Sequence, residues 1–570
     1  MRSIERTDAP MMRDCRPSGK DFDEEHTRTH ETHGVPSHLL AKPRRSALCG
    51  QSNHPSSITP SAGMPFDPSS TDLPVGVIGA GAMGRGIAQV LAQCGCRVLL
   101  HDTNAAAIDA AVASVAAVLG KQVDKGKLDA TRRDATLARL IPAHALSDFA
   151  SCALVVEAIV ENLDVKRKLF AQIETIVAAD AVLVSNTSSL SITAIAAQCA
   201  HPSRVAGWHF FNPVPLMKVA EVVDGLATDR AVGDALMALT KRLGHTPVRA
   251  KDTPGFIVNH AGRGYGTEAL RIVGEGICDF ADVDRVMREA AGFRLGPFEL
   301  MDLTALDVSH PVMEAIYRQY YDEPRFRPSV ITAQRLAGGR LGRKTKGGFY
   351  EYGDDAVPVV EARAPIALPA SVWVSRAHAH AQSELTWLLE KMGATVEAGE
   401  VPSDEALIIV TPLGSDATTS AIEEGLDPER TVAIDTLVPL ALRRTLMTTP
   451  VTRPDVREEA HGLFASDGVA VTVIGDSPGF IAQRILATIV NIACDIAQQK
   501  IATPADIDLA VRLGLNYPNG PLAMGDALGP TKLLTILRAM QEFYGDPRYR
   551  PSPWLTRRAL LGISLTTPAR

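Results

Sequence analysis

Two groups of residues in this chain could cooperate in one piece of chemistry. Gly79, Gly81 and Gly84, with Ala82 and Met83 between them, follow a short apolar run (75–78) and open a helical pattern from Gly84 to Cys94. At this spacing the first glycine permits a tight turn, the second lets backbone approach a pyrophosphate, and the third lets helix pack on strand. The helix N-terminus then offers free N–H groups and the positive end of its dipole to the phosphates. Asp102 ends the next apolar run, 23 residues past Gly79, where an acceptor for a ribose 2′-hydroxyl belongs. Its carboxylate would repel a 2′-phosphate and no arginine follows it, so NAD is favoured over NADP. A glycine turn that serves only tight packing is the alternative. Further on, His209 ends an apolar run and Glu221 follows twelve residues later. A histidine oriented by a carboxylate is a general base, although a lone histidine at a strand end is more often structural. A dinucleotide site and a base together could oxidise an alcohol.

Several elements must position these groups. Apolar runs at 75–78, 97–100, 153–157, 181–185 and 205–209 alternate with helical patterns, which predicts a doubly wound, mostly parallel Rossmann sheet over 71–252. From 253 to 352 strand signals give way to helical ones, so an all-α domain is expected. Its signals return later. Pro254-Gly-Phe-Ile matches Pro478-Gly-Phe-Ile, Gly296-Pro matches Gly520-Pro, and Asp302 matches Asp526, always 224 residues apart (478 − 254, 520 − 296, 526 − 302). A constant offset predicts a second, degenerate helical copy over 471–570. Between the copies, 353–470 reads as a degenerate α/β segment with strands near 406–410 and 431–435 and no glycine-rich turn. The same offset sets Ala433 against His209, Thr445 against Glu221 and Gln483 against Asn259.

Bulk properties exclude little. The 570 residues exceed one core, and 46% hydrophobic with 22% charged residues is ordinary for a globular protein. A net charge of −7 gives no general attraction to nucleic acid or anionic membranes. No apolar run of a spanning length stands out. The eight cysteines, Cys94 and Cys96 included, read as core or loop thiols in a reducing cytoplasm, and no metal-ligand set is visible. Residues 1–70, rich in Arg, His, Ser, Thr and Pro, read as a disordered extension. A disordered tail is a simpler reading of His26, His30 and His33 than a metal site, and the natural start is expected near Met64.

The string His209-Phe-Phe-Asn212-Pro-Val-Pro-Leu-Met-Lys-Val-Ala-Glu221 resembles the signature of the 3-hydroxyacyl-CoA dehydrogenases. Val156 to Asn162 with Lys166, Ser185 to Leu190, Pro254 to Asn259 and Gly342 to Thr345 stand in that family's order, over about 73–352 with weaker likeness through 555. The resemblance implies His209 as the base and Glu221 as its partner, with Ser188 and Asn259 near the substrate oxygen. It sets Asn212 near the nicotinamide or substrate carbonyl, and Ala158, Glu161, Lys166 and Lys344 along the cofactor, with Ser188 between cofactor and substrate. It implies an (S)-3-hydroxyacyl-CoA oxidised with NAD, in β-oxidation or phenylacetate catabolism, the substrate being 3-hydroxyadipyl-CoA or 3-hydroxybutyryl-CoA. Lys121, Lys125 and Lys127 could meet CoA phosphates or form a solvated face. Gly262, Gly264 and Gly266 lie in a presumed helix, where each costs about 1 kcal/mol against alanine. Close helix packing with Arg263 at the surface is the simpler reading; room for an acyl chain, with Arg263 meeting a distal carboxylate, is the alternative. A fused second copy could supply the partner surface that single-copy relatives obtain by dimerising, which gives a pseudo-dimeric monomer, or a homodimer of whole chains. A dehydrogenase of free hydroxy or sugar acids (the lambda-crystallin-like branch) and a non-catalytic NAD-binding protein are the competing readings.

Overall fold

The computed structural model describes residues 64–353, 356–361 and 363–569. The N-terminal extension up to residue 63, with His26, His30 and His33, lies outside the described residues. Residues 64–70, assigned above to that extension, pack instead. Phe66 is buried, and Arg242 Nη1 donates to the carbonyls of Pro68 and Ser70, both at 2.6 Å.

The first sheet contains β1 (Pro74–Ile78), β2 (Arg97–His101), β3 (Leu140–Pro142), β4 (Leu154–Glu157), β5 (Val182–Ser185), β6 (Val205–Phe210), β7 (Val219–Asp224) and β8 (Thr246–Lys251). Its order is β3-β2-β1-β4-β5-β6-β7-β8, and only β6 and β7 are antiparallel. Strands β3, β7 and β8 were not expected. The first is three residues ending in proline, and β8 is an edge strand carrying Pro247, where a missing N–H is tolerated. The order reverses between β1 and β4, which opens a crevice at the carboxyl ends of the strands. Helices α1 (Ala82–Gln93), α2 (Ala105–Asp124), α3 (Ala130–Ala138), α4 (Leu163–Glu174), α5 (Ile192–Ala196) and α6 (Arg230–Arg242) connect these strands. Contrary to expectation, α2 is long and apolar enough to cross a membrane by length and composition alone, its mean hydropathy of 1.4 coming from alanine and valine. Its buried stripe of Ile108, Ala111, Val115 and Leu119, at helical spacing, packs toward α1 and α3.

The first helical unit comprises α7 (Val258–Ala261), α8 (Arg263–Gly274), α9 (Phe280–Glu289), α10 (Pro297–Thr304), α11 (Leu306–Gln319) and α12 (Val330–Ala337). The glycine-rich stretch expected as one helix is broken at Gly262, which joins α7 to α8. A five-stranded sheet follows, ordered β13-β12-β11-β10-β9, from β9 (Val372–Val374), β10 (Leu407–Val410), β11 (Thr431–Ile434), β12 (Arg444–Thr448) and β13 (Val471–Ile474). It carries α13 (Ala379–Lys391), α14 (Ala417–Glu423) and α15 (Pro454–Ala465). The second helical unit holds α16 (Ile481–Gln498), α17 (Pro504–Leu515), α18 (Pro521–Leu528), α19 (Pro530–Tyr544) and α20 (Pro553–Leu561).

The two helical units repeat small physical devices. Asp284 accepts the N–H groups of Phe298 and Glu299 at 2.9 Å, capping α10. Asp508, 224 residues on, accepts those of Leu522 and Ala523 at 2.7 and 2.9 Å, capping α18. In both places a Cβ on the preceding glycine, Gly296 or Gly520, would sit 2.2 Å from the aspartate. Phe256 and Phe480 share a rare left-handed backbone, φ 49° and 48°.

The units also pack against each other about a pseudo-twofold axis. Arg325 donates through Nε to the Arg548 carbonyl (3.3 Å), and Arg548 through Nη2 to the Arg325 carbonyl (3.4 Å). Gly264 faces its own repeat partner Thr488: a Cβ there would lie 3.1 Å from Thr488 Cγ2 and 2.9 Å from Ile492 Cδ1. That glycine therefore serves close packing of α8 on α16, not acyl room. Beneath it, Arg484 is fully buried, donating to Glu268 Oε1 (2.8 Å) and Glu275 Oε2 (2.7 Å).

Candidate active site

His209 and Glu221 are direct cross-strand neighbours on β6 and β7. The antiparallel pairing turns twelve residues of sequence into one contact, His209 Nδ1 to Glu221 Oε2 at 2.6 Å. Both side chains are buried. The other carboxylate oxygen accepts the N–H groups of Ile257 (2.9 Å) and Val258 (3.0 Å). Those donors point inward because Gly255 (φ 76°) and Phe256 (φ 49°) turn the chain at the first helical unit, a turn that Gly479 and Phe480 repeat in the second. A carboxylate held by two fixed donors accepts from imidazole Nδ1–H, which leaves the lone pair on Nε2.

Around this pair the structure gathers Ser188 and Asn259. Asn259 Nδ2 donates to the Ser188 carbonyl at 3.3 Å, bridging the β5 loop to α7. Asn186 Oδ1, missed as a positioning group, accepts Phe210 N–H at 2.8 Å and ties the ends of β5 and β6 together. Glu161 acts from below. Its Oε1 accepts from the Thr187 hydroxyl (2.5 Å), the Ser188 and Ser189 N–H groups (3.1 and 3.2 Å) and the Ser189 hydroxyl (2.9 Å). Burial pushes this carboxyl up, but Lys166 at 3.3 Å and these donors pull harder, so it sits below the usual glutamate range.

Lys166 is placed differently from its expected lining role. Its ammonium is buried between Glu157 Oε1 (2.6 Å) and Glu161 Oε2, so it acts on the cofactor side only through Glu161. Lys344 is also off the cleft: it lies on the first helical unit and pairs with Asp307 on α11. Lys121, Lys125 and Lys127 are exposed at the end of α2 and make no ion pair among the described residues. A separate crevice between α1 and α2 is lined by Arg85, Gln122 and Asn212, with Asn212 exposed at its mouth.

The dinucleotide turn fits its ligand. A Cβ on Gly79 would lie 2.4 Å from the Ala158 carbonyl, and one on Gly84 1.8 Å from the Gly79 carbonyl, whereas Gly81 faces open space. The N-cap Gly81 gives α1 no side-chain cap, and no acidic residue sits in its first turn, so its N–H groups are available to an anion. Asp102 Oδ2 accepts Ala80 N–H at 2.8 Å, bracing the turn with the same carboxylate expected to receive the ribose. A cavity of ~560 Å³ lies over β1, β2 and β4, bounded by Gly79, Gly81, Asp102 and Ala158. Its far wall is Val165, Lys168, Leu169 and Gln172 of α4, a helical-spacing pattern that sequence reading passed over.

The comparisons agree with this geometry. The family model described as "3-hydroxyacyl-CoA dehydrogenase, NAD binding domain" matches residues 74–253, and "3-hydroxyacyl-CoA dehydrogenase, C-terminal domain" matches both 255–352 and 479–564. The chain belongs to the 3-hydroxyacyl-CoA dehydrogenase family. As a member it is an NAD-dependent oxidoreductase. It is 38% identical over 489 residues to the 3-hydroxyadipyl-CoA dehydrogenase of Escherichia coli K12, covering 85% of this chain and 97% of that protein. It is also 38% identical over 278 residues to a 3-hydroxybutyryl-CoA dehydrogenase of Bradyrhizobium diazoefficiens, covering 49% of this chain and 94% of that protein. A crystal structure of 3-hydroxybutyryl-CoA dehydrogenase from Escherichia coli K12 superposes with a TM-score of 0.76 at 38% identity, covering 86% of this chain and 98% of that one.

Proposed function

We propose that this dehydrogenase oxidises the 3-hydroxyl of an (S)-3-hydroxyacyl-CoA with His209 as general base and Glu221 as the residue that positions it. The observation that carries the reading is the buried His209–Glu221 contact, locked from behind by the Ile257 and Val258 amides. Nε2 takes the hydroxyl proton, and Glu221 stabilises the imidazolium that results. Ser188 and Asn259, held together across the cleft, steady the substrate oxygen. NAD bound at the Gly79–Gly84 turn supplies the hydride acceptor. Glu161, bonded to the 187–189 loop, keeps Ser188 at the boundary of cofactor and substrate. The α1–α2 crevice with Arg85 and Asn212, near Lys125 and Lys127, takes the CoA portion. The packing of two homologous helical units within one chain supports a further reading, that the protein is a pseudo-dimeric monomer.

The test is NADH formation from (S)-3-hydroxybutyryl-CoA by the wild type and by His209→Ala. Turnover that collapses by ~10³-fold or more in the variant, with NAD still bound, is expected from losing a general base together with its anchoring. Comparable turnover in the two proteins would refute the assignment.

A further inference from the structure

Beyond Ser188 and Asn259 a cavity of ~240 Å³ runs between the two helical units. Its walls are mostly apolar, among them Leu300, Met301, Val312 and Leu515. Arg263 is the one charged residue on that lining. Its Nε donates to the Asn259 carbonyl at 2.9 Å, which fixes the guanidinium one helical turn beyond the residue that braces the substrate oxygen. No carboxylate among the described residues pairs with it. Desolvation draws its pKa down to about 10, offset only in part by Tyr517, so it stays cationic at neutral pH. Tyr517, from the second helical unit, is 4% exposed, and its hydroxyl has no hydrogen-bond partner among the described residues. A half-buried cation without a carboxylate partner, beside a buried and unsatisfied hydroxyl, is unfavourable in the empty protein unless a ligand completes the pair.

The repeat supplies an internal control. The position equivalent to Arg263 in the second unit is Ala487 (487 − 263 = 224), and the position equivalent to Tyr517 in the first is Phe293 (517 − 293 = 224). Tyr517 and Phe293 meet near the pseudo-axis, ring centroids 4.9 Å apart. The fold therefore tolerates a small residue and a phenyl ring at these places. The polar pair exists only on the side that faces His209.

Taking the proposed reaction as given, we infer that Arg263 and Tyr517 bind the distal carboxylate of a dicarboxylic 3-hydroxyacyl-CoA, with the second helical unit completing the acyl cavity. Asn259 and Arg263 stand four residues apart across the Gly262 junction, a rise of about 6 Å if the helical path is kept, as the Arg263 Nε contact to the Asn259 carbonyl indicates. That separation suits a short acyl chain whose hydroxyl lies at one end and whose carboxylate lies at the other. A guanidinium fork recognises a carboxylate through two donors, and the tyrosine hydroxyl adds a third. A nucleotide phosphate of CoA would not suit this narrow, largely apolar cavity.

The experiment compares kcat/KM for (S)-3-hydroxyadipyl-CoA and (S)-3-hydroxyhexanoyl-CoA, equal in length and differing at the tip. The wild type should favour the dicarboxylic substrate by ~100-fold, the range of charge-assisted hydrogen bonds. In Arg263→Gln that ratio should fall toward one, and in Tyr517→Phe it should fall by ~10-fold. A wild type without the preference, or variants that lose both substrates in proportion, would overturn the inference. Inhibition of the wild type by adipyl-CoA against hexanoyl-CoA reads the same preference should a variant not fold, and equal inhibition would count against it. A wild type inactive on every 3-hydroxyacyl-CoA would instead remove the proposed reaction.

Discussion

Glu221→Gln isolates what the carboxylate contributes, because it changes charge and hydrogen-bond polarity while keeping shape. Glu221 faces three donors: His209 Nδ1–H on one oxygen, and the Ile257 and Val258 amides on the other. A glutamine has one oxygen and one NH2 to offer. Turning the NH2 toward the two amides would strand two buried donors at ~1–3 kcal/mol each, so the oxygen stays with them. The NH2 must then face His209, which can meet it only by accepting at Nδ1. The ring proton moves to Nε2, the atom that should take the substrate proton. Restoring the working tautomer costs ~2–3 kcal/mol in lost pairing, and the lost charge-assisted contact to imidazolium another ~1.5–3 kcal/mol. At 1.36 kcal/mol per decade these combine to a fall in kcat of ~10³–10⁴-fold. A wrong-tautomer substitution beside a catalytic histidine costs about as much elsewhere.

Single-turnover reduction of bound NAD at saturating substrate measures the step. KM should move far less than kcat, since Glu221 touches neither ligand. Melting temperature should move little, because two of the three hydrogen bonds survive. A kcat loss below tenfold would refute the positioning role, and so would a kcat loss matched by a large drop in melting temperature.

The remaining predictions concern the paired helical units. Arg484→Met leaves Glu268 as a fully buried carboxylate without its closest cation, and breaking such a pair should cost ~3–5 kcal/mol. Thermal unfolding should show the loss, and a negligible shift in melting temperature would mean that Arg548 and Tyr549 suffice. Light scattering should give one-chain mass, because the surface that α8 would present to a partner is covered by α16; a stable dimer or larger assembly would refute this.

The sequence was most informative where chemistry and position are set by local spacing. Gly79 to Gly84, Asp102 and His209 sit at or just past the ends of strands that the apolar runs marked, so the strand pattern carries them to the carboxyl edge of the sheet, whereas Glu221 reaches His209 from β7, which that pattern missed. Resemblance supplied the roles of Ser188 and Asn259, which no spacing marks. Contacts over long separations were not legible. Nothing near Glu221 points to the Ile257 and Val258 amides, and nothing near Arg263 points to Tyr517. Lys166 illustrates the limit of motif reading, because its burial between two carboxylates depends on strand register. Gly264 stood open between close helix packing and acyl room, because a helix written alone does not show the helix that packs on it.

The second half shows how a catalytic site is lost while its frame is kept. The offset aligned Ala433 with His209, but the strands say otherwise. Thr445 pairs with Thr472 on β13, as Glu221 pairs with Val248 on β8, so the offset of 224 holds there. Across the antiparallel pair the connection is two residues shorter, and the Asp435 amide donates to the Thr445 carbonyl at 3.1 Å. Asp435 thus occupies the place of His209. Burial raises its pKa to about 6, against the pull of Gln483 and the Leu437 amide. Gln483, at the Asn259 position, donates to Asp435 Oδ1 (2.9 Å) and to the Pro412 carbonyl (3.1 Å), and accepts Gly414 N–H (2.8 Å). The cleft that Ser188 and Asn259 line in the first half is here stitched shut by its own side chains. A copy without the base and the phosphate turn still presents a surface to the first half. That surface buries α8, supplies Arg484 to Glu268 and brings Leu515 and Tyr517 to the wall beside Arg263.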